Sequence, residues 1–222
     1  VGQPRTALAL IGDIVDSRRL DPDHRYALQE VWTRLFQSWG DRQGGGMLAR
    51  PTITLGDEFQ GLFHADDAGA ADALTIMEQA SDAARPAKVR FGLGWGEITT
   101  PLREEALGMD GPCFHRARAA LESAREDGHL CRLEAGGDAA DMAWSALASY
   151  CLQDRSTWSD PQWQAITAYR ELGSWAAVAD SLGVTRGAIS QRQQAAGWEL
   201  FRFGWESLWA ELVRRLEQGG AS

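Results

Sequence analysis

Between Val89 and Ile98 the chain reads Val-Arg-Phe-Gly-Leu-Gly-Trp-Gly-Glu-Ile, so that Val89, Phe91, Leu93 and Trp95 alternate with Gly92, Gly94 and Gly96. Successive side chains of an extended strand point to opposite faces. One face of this strand is therefore apolar, while the other is nearly bare backbone. Several glycines inside a strand mark a place where another segment approaches closely. The chain thus needs a layered fold in which some element packs against that bare face. These glycines are not read as a dinucleotide fingerprint, because no helix follows them in the required frame.

The rest of the first 150 residues alternates strands and helices. Residues 6–13 form a short apolar run, read as a buried strand. Asp21 then caps a helix with Pro22 at its first position, and Leu28, Trp32, Leu35 and Trp39 give it an apolar face. Gly44-Gly45-Gly46 closes this unit. Met47–Leu55 and Glu58–Phe63 pair as a hairpin around Gly56-Asp57, with Pro51 implying an edge or a bulge. A second helix carries Ala70, Leu74, Met77 and Ala84. After the glycine-rich strand come a third helix, near Gly111 to Glu126, and a short strand, His129 to Leu133. The order β-α-β-β-α-β-α-β suits an α+β sandwich.

Composition narrows the function classes. The net charge of -9 argues against a non-specific nucleic-acid coat. Of 22 basic residues only Lys88 is a lysine, a bias read as genomic base composition and not as phosphate binding. Cys113, Cys131 and Cys151 have unrelated spacings, which argues against a disulfide framework and for a reducing cytoplasm. His24, His64, His115 and His129 share no helical ligand pair, so no zinc site is expected. No apolar run reaches about 18 residues and the N-terminus lacks the layout of a secretory signal, so neither a membrane span nor export is expected.

The main chemical signal is a pair of turn carboxylates 44 positions apart in sequence, Asp13 at the end of the first strand and Asp57 at the hairpin tip. Two carboxylates on adjacent strand ends can hold Mg²⁺ through hard oxygen ligands while phosphates supply the rest. The N–H groups of Ile14, Val15, Asp16 and Ser17 could cradle phosphate oxygens. The structural alternative is that both are turn aspartates chosen for local hydrogen bonding.

Four blocks occur in order: IGDIVDSR (11–18), TLGDEFQGLF (54–63), VRFGLGWGEI (89–98) and GMDGPCFHRARAAL (108–121). Together they resemble the SatD family and, more distantly, the class III nucleotidyl cyclase and GGDEF superfamily. The resemblance implies a cyclase/ferredoxin-like sandwich with Mg²⁺ or Mn²⁺ held by Asp13, Asp57 and the Ile14 carbonyl. It places a bound nucleotide against Val15, Asp16, Ser17, Arg18, Gly56 and His115, and it implies a homodimer. The departures bear on activity. Ile53 stands where cyclases carry a base-selecting lysine, His115 and Ala119 where they carry an Asn and a charge-stabilising Arg, and Gly108 where they carry a base-selecting Asp. Losing one preorganised charge donor costs on the order of 10²–10³ in rate, so cyclase turnover is not expected and no catalytic residue is assigned.

The last 72 residues hold six of the ten tryptophans, and their charges nearly balance at 7 basic against 8 acidic, where residues 1–150 carry 15 against 23. Gln153 to Pro161 is polar and turn-rich and reads as a junction, giving domains 1–150 and 151–222. The stretch WAAVADSLGVTRGAISQRQQAAG is similar to bacterial helix-turn-helix regulators. Ser174 caps a short helix, Gly183 supplies the left-handed turn, and Thr185 caps a second helix. That second helix would present Thr185, Arg186, Gly187, Ser190, Gln191 and Gln194 to double-stranded DNA, with Arg192 reaching a phosphate. The competing reading is a helical bundle for protein contacts. A stripe of Trp205, Leu208, Trp209, Leu212 and Leu216 reads as core or dimer seam.

The combined expectation is an α+β cyclase-like domain followed by an all-α helix-turn-helix domain: a cytoplasmic, dimeric transcription regulator that senses a nucleotide. The alternative is an active nucleotidyl cyclase or other metal-dependent phosphodiester enzyme, with Arg116, Arg118 or a partner subunit supplying the missing cation.

Overall fold

The computed structural model describes residues 5–39, 45–54 and 56–219. Their contacts divide the chain into two compact units, one made of residues up to Ser149 with those from Leu208 onward, the other Tyr150–Ser207. The elements of the first unit run β1 (Arg5–Ile14), α1 (Pro22–Trp39), β2 (Met47–Ile53), β3 (Glu58–His64), α2 (Asp67–Ala83), β4 (Val89–Ile98), α3 (Pro112–Glu126), β5 (Cys131–Glu134) and the first part of α4 (Ala139–Ser156), whose residues from Tyr150 on fall in the second unit. A single 3-10 turn, Ser17–Arg19, follows β1. The sheet order is β2-β3-β1-β4-β5. The first four strands pair antiparallel, and β5 joins β4 in parallel. This is an α+β fold on a mixed sheet, built from two interleaved split β-α-β units.

Alternation along β1 decides what covers each face. Ala7, Ala9 and Ile11 pack with Cys113, Ala117 and Leu121 of α3. Across the sheet, Phe59 meets Trp32 edge-on at 5.0 Å, Phe36 at 4.7 Å and Phe91 at 6.4 Å, which seats α1 on the opposite face. The Trp32 indole donates to the Ala80 carbonyl at 3.0 Å, tying α1 to α2. The apolar face of α1 is centred on Trp32, Phe36 and Trp39, while Leu28 and Leu35 are only half-buried. Pro51 lies where the edge strand β2 slips register, between Ala49 and Thr52, as its missing N–H requires. Gly45 and Gly46 precede that strand, whereas Gly44 of the expected triple-glycine closure falls outside the described residues.

The bare face of β4 is covered by α3. A Cβ added at Gly92 would lie 2.2 Å from the Ala117 carbonyl oxygen, and one at Gly94 would lie 2.2 Å from the Ala117 nitrogen. Helix and strand therefore touch backbone to backbone, and α3 answers with small buried residues, Cys113, Ala117, Ala120 and Ala124. All three cysteines are buried, and burial pushes the Cys113 thiol up to about 11.

Residues 134–150, left without an element in the sequence reading, continue into α4, which runs through position 151 to Ser156. Asp141 starts it firmly: one carboxylate oxygen accepts the N–H groups of Ala135, Gly136 and Gly137 at 2.9, 2.8 and 2.7 Å. The other lies 2.6 Å from Arg215, in the last helix, α8 (Trp198–Gly219). Leu208, Leu212 and Leu216 of the expected stripe are buried, while Trp209 is 38% exposed.

In the second unit, α5 (Asp160–Leu172), α6 (Trp175–Leu182) and α7 (Arg186–Ala195) close around Ala165, Val178, Ala179 and Ile189. Trp158, Trp175, Trp198 and Trp205 share one aromatic cluster: Tyr169 stacks on Trp175 at 4.0 Å, and Trp158 meets Phe201 at 4.9 Å. The Arg155 guanidinium lies 4.9 Å from the Trp158 ring centre.

Because the Gly94 Cβ would strike helix backbone, Gly94→Ala should cost about 3 kcal/mol or more. Gly96→Ala, whose nearest approach is 3.0 Å, should cost clearly less. Urea unfolding of the two variants checks the order; equal stabilities would contradict the backbone contact.

Candidate functional site

The end of β1 and the β2–β3 hairpin tip open into one cleft of about 920 Å³, lined by residues that include Asp13, Ile14, Gly56 and Asp57. Strand pairing puts Asp13 opposite Glu58 on one side and Arg90 on the other. The Ile14 N–H donates to the Asp57 carbonyl at 3.1 Å and the Val15 N–H to the Lys88 carbonyl at 2.9 Å. Both groups are thereby used in holding strands together, so the expected phosphate cradle is confined to the N–H groups of Asp16 and Ser17. There Asp16 adopts a left-handed conformation (φ 54°), which turns the chain into the short helical turn.

The cleft gathers seven of the nine residues expected to hold metal or nucleotide and leaves two out. Asp13, Ile14, Asp16, Ser17, Arg18, Gly56 and Asp57 all line it. Val15 is half-buried beside it and is not in its wall. His115 is absent from it: it sits in the first turn of α3, with Nε2 3.1 Å from Asp110, whereas the cleft lies at the other end of that helix, ten residues or about 15 Å further along. The remaining expected residues, Thr185, Arg186, Gly187, Ser190, Gln191, Arg192 and Gln194, lie in the other unit. All are exposed except Arg192, which is half-buried.

Arginine dominates the electrostatics. Asp13 is 6% exposed, and its Oδ2 accepts from Arg125 Nη2 at 2.5 Å while Arg90 Nη1 stands 3.5 Å from its Oδ1. That Oδ1 has no hydrogen-bond partner. Arg90 is itself buried, and its Nε donates to the His129 carbonyl at 3.1 Å. One strand along, Glu58 is clamped by both Arg118 nitrogens, Nη2 at 2.6 Å from Oε1. Arg118 and Arg125 are seven residues apart on α3, two turns of one face. Arg116, the other cation considered for a transition-state role, donates instead to the Trp95 carbonyl at 2.6 Å. Arg18 and Arg25 also line the cleft and have no acidic partner among the described residues. Arg25 Nε is buried with no hydrogen-bond partner among the described residues.

Burial holds the Asp13 carboxyl above the usual aspartate range, against the Arg125 hydrogen bond and the charges of Arg90 and Arg125, with the nearby Asp57 charge adding to the rise. Arg125 is correspondingly raised by its bond to Asp13. Both partners gain from the pair, and desolvation outweighs that gain at the carboxylate.

A Mg²⁺ or Mn²⁺ ion was the expected occupant. The orphaned Asp13 Oδ1 and the adjacent Asp57 speak for a cation. Against it, no group of three potential ligands occurs among the described residues, and two guanidiniums already crowd Asp13. Unit charges about 4 Å apart interact by ~4 kcal/mol near a protein surface, and a dication doubles that repulsion from the buried Arg90. The donor set fits a resident divalent ion poorly.

Sequence reasoning passed over Arg90, Arg125, Arg25 and Glu58. One signal was available: Arg90 continues the bare face of β4, where it is the one side chain able to fill the space that the glycines close.

Fold and site together define an α+β mixed-sheet protein with an arginine-lined cleft at the carboxyl end of its first strand. Residues 7–203 match the model of the SatD family, and the chain belongs to that family. Comparison with curated proteins gave no match. Among solved structures, a bacterial light-regulated adenylyl cyclase is similar at 15% identity and TM-score 0.43, over 61% of this chain and 78% of that one. A second such cyclase structure gives 18% and 0.40, over 60% of this chain and 44% of that one. The guanylyl cyclase Cya2 gives 15% and 0.37, over 55% and 72%.

Two outcomes follow from the paired charges. Glu58→Gln should lower the unfolding free energy by about 1.5–3 kcal/mol, and Arg118→Met in that background should cost less than it does alone; additive losses would mean the clamp is not formed. The native Asp13 carboxyl keeps its proton to higher pH than the unfolded one. Its contribution to stability is therefore fully present at acid pH below the ordinary aspartate value and is lost as pH rises through the native value. The stability of the wild type relative to Asp13→Asn should fall over that interval, as read by melting temperature; a rise would contradict the assignment.

Proposed function

We propose that this SatD-family protein is a ligand-responsive DNA-binding regulator whose cleft takes a phosphorylated small molecule, a nucleotide being the expected class. The observation that carries the reading is the placement of Arg18 and Arg25, two guanidiniums without acidic partners, in a cleft whose carboxylates Asp13 and Glu58 are already paired. Phosphate is the ligand group that planar, multidentate arginine suits best.

The second unit carries the DNA half of the proposal, as a helix-turn-helix spanning α6 and α7. Gly183 (φ 65°, ψ 33°) turns the chain in the left-handed region. Val184 packs against the small core, and the Thr185 side chain accepts from the Ala188 N–H at 3.1 Å. Ile189 is buried, while Arg186, Ser190, Gln191 and Gln194 share the solvent face. Such a helix offers hydrogen-bonding groups to phosphates and base edges. A homodimer would present two of them to paired half-sites. Ligand would change DNA affinity only through its differential affinity for the two arrangements. No helix among the described residues is long and apolar enough to cross a membrane, and three buried cysteines at unrelated spacings suit a reducing compartment such as the cytoplasm.

One observation favours a second reading, a metal-dependent enzyme acting on a phosphodiester: the Asp13 Oδ1 left without a hydrogen bond beside Asp57.

A gel shift with DNA from upstream of the protein's own coding region, at fixed salt, tests the DNA half. The wild type should retard it, and Arg186→Ala should weaken binding about tenfold, the low end for one charged contact. Equal retardation by both proteins would remove α7 from the interface.

A further inference from the structure

We infer that the cleft binds the phosphates of its ligand with arginine alone, and that Asp57 opposes this binding where a metal ligand would be required for it. The inference rests on the phosphorylated-ligand reading above and adds how the charge is met.

The cleft residues sort by whether their charge is spent. Asp13 faces Arg125 at 2.5 Å and Arg90 at 3.5 Å, Glu58 is clamped by Arg118, and Asp16 faces Arg19 at 3.3 Å. Each of these carboxylates is answered from within the protein. Arg90 cannot yield its place, since it is buried and tied to the His129 carbonyl. A divalent ion on Asp13 would have to displace Arg125 and would still face Arg90 across the same carboxylate. What remains unspent is cationic on one side, Arg18 and Arg25, and anionic on the other, Asp57, whose side chain takes part in no hydrogen bond or ion pair among the described residues. An incoming polyphosphate meets two guanidiniums and one carboxylate of its own sign. Arg125, more than half exposed and held only at its end, is the third guanidinium within the same wall. Bound Mg²⁺ would reduce the charge of the polyphosphate and so weaken its attraction to the arginines.

Isothermal titration calorimetry of the full chain with inorganic tripolyphosphate, a probe with phosphates and no base, tests this in excess EDTA and in excess Mg²⁺. Binding should occur in EDTA and be unchanged or weaker in Mg²⁺. Arg18→Gln and Arg25→Gln should each weaken it roughly tenfold to a hundredfold, as loss of a charge-assisted hydrogen bond does. Arg214→Gln, on the exposed face of α8, should leave it unchanged, which separates the cleft from general attraction to arginine. Asp57→Asn should tighten it several-fold. Binding that appears only with Mg²⁺, or is lost in Asp57→Asn, would overturn the inference while leaving a phosphate-binding cleft in place. No binding under either condition, or equal losses in Arg214→Gln, would overturn both.

Discussion

The closeness of α3 to β4 is the constraint on which the cleft depends. Gly92 and Gly94 remove the β4 side chains from beneath the helix over two turns, so the α3 backbone lies directly on that strand. A helix held that low brings Arg118 and Arg125 within reach of the strand-end carboxylates Glu58 and Asp13. The next residue on that strand face, Arg90, has a side chain where the glycines have none, and it fills the widening gap against Asp13. Backbone packing and site electrostatics are thus consequences of one four-residue pattern, Arg-x-Gly-x-Gly-x-Gly, read on alternate positions of β4.

That arrangement changes what a pair of turn aspartates can do. An aspartate at a strand end with solvent around it is a hard oxygen ligand. Asp13 is instead desolvated, raised above the usual aspartate range and faced by two guanidiniums. Its chemistry is that of an internal counter-ion that keeps arginines assembled at the cleft. Desolvated charges of this kind are costly unless paired, and here the pairing produces a fixed positive wall.

The layered part of the fold was readable because its signals are local. The alternation in β4, the Pro22 helix start, the Pro51 irregularity and the Gly56-Asp57 turn each act over a few residues, and the element order follows from them. The convergence of Asp13 and Asp57 on one cleft was legible for the same reason: both end strands that had to be neighbours. The arginine wall was not, because it depends on register. Whether Arg125 or His115 meets the cleft is a matter of which end of α3 lies beside the β1 terminus, and alignment by motif placed His115 there while the chain path places Arg125. The start of α4 was missed although its signal is local: Asp138 caps the helix by accepting the N–H groups of Ala140 and Asp141 at 3.0 and 3.1 Å, and Asp141, three residues on, clamps the backbone of 135–137 just before it. Among the last 72 residues, the count of six tryptophans did not show that Trp158, Trp175 and Trp198 share one cluster.

The most direct test of the central claim, that arginine and not a metal ion meets the ligand's charge, is a crystal structure of the protein grown with a nucleoside triphosphate and Mg²⁺ both present. The account requires phosphate oxygens within hydrogen-bond distance of Arg18 and Arg25, with the Arg125–Asp13 pair intact. A metal ion bridging Asp13 and Asp57 to the phosphates, with Arg125 turned away, would contradict it.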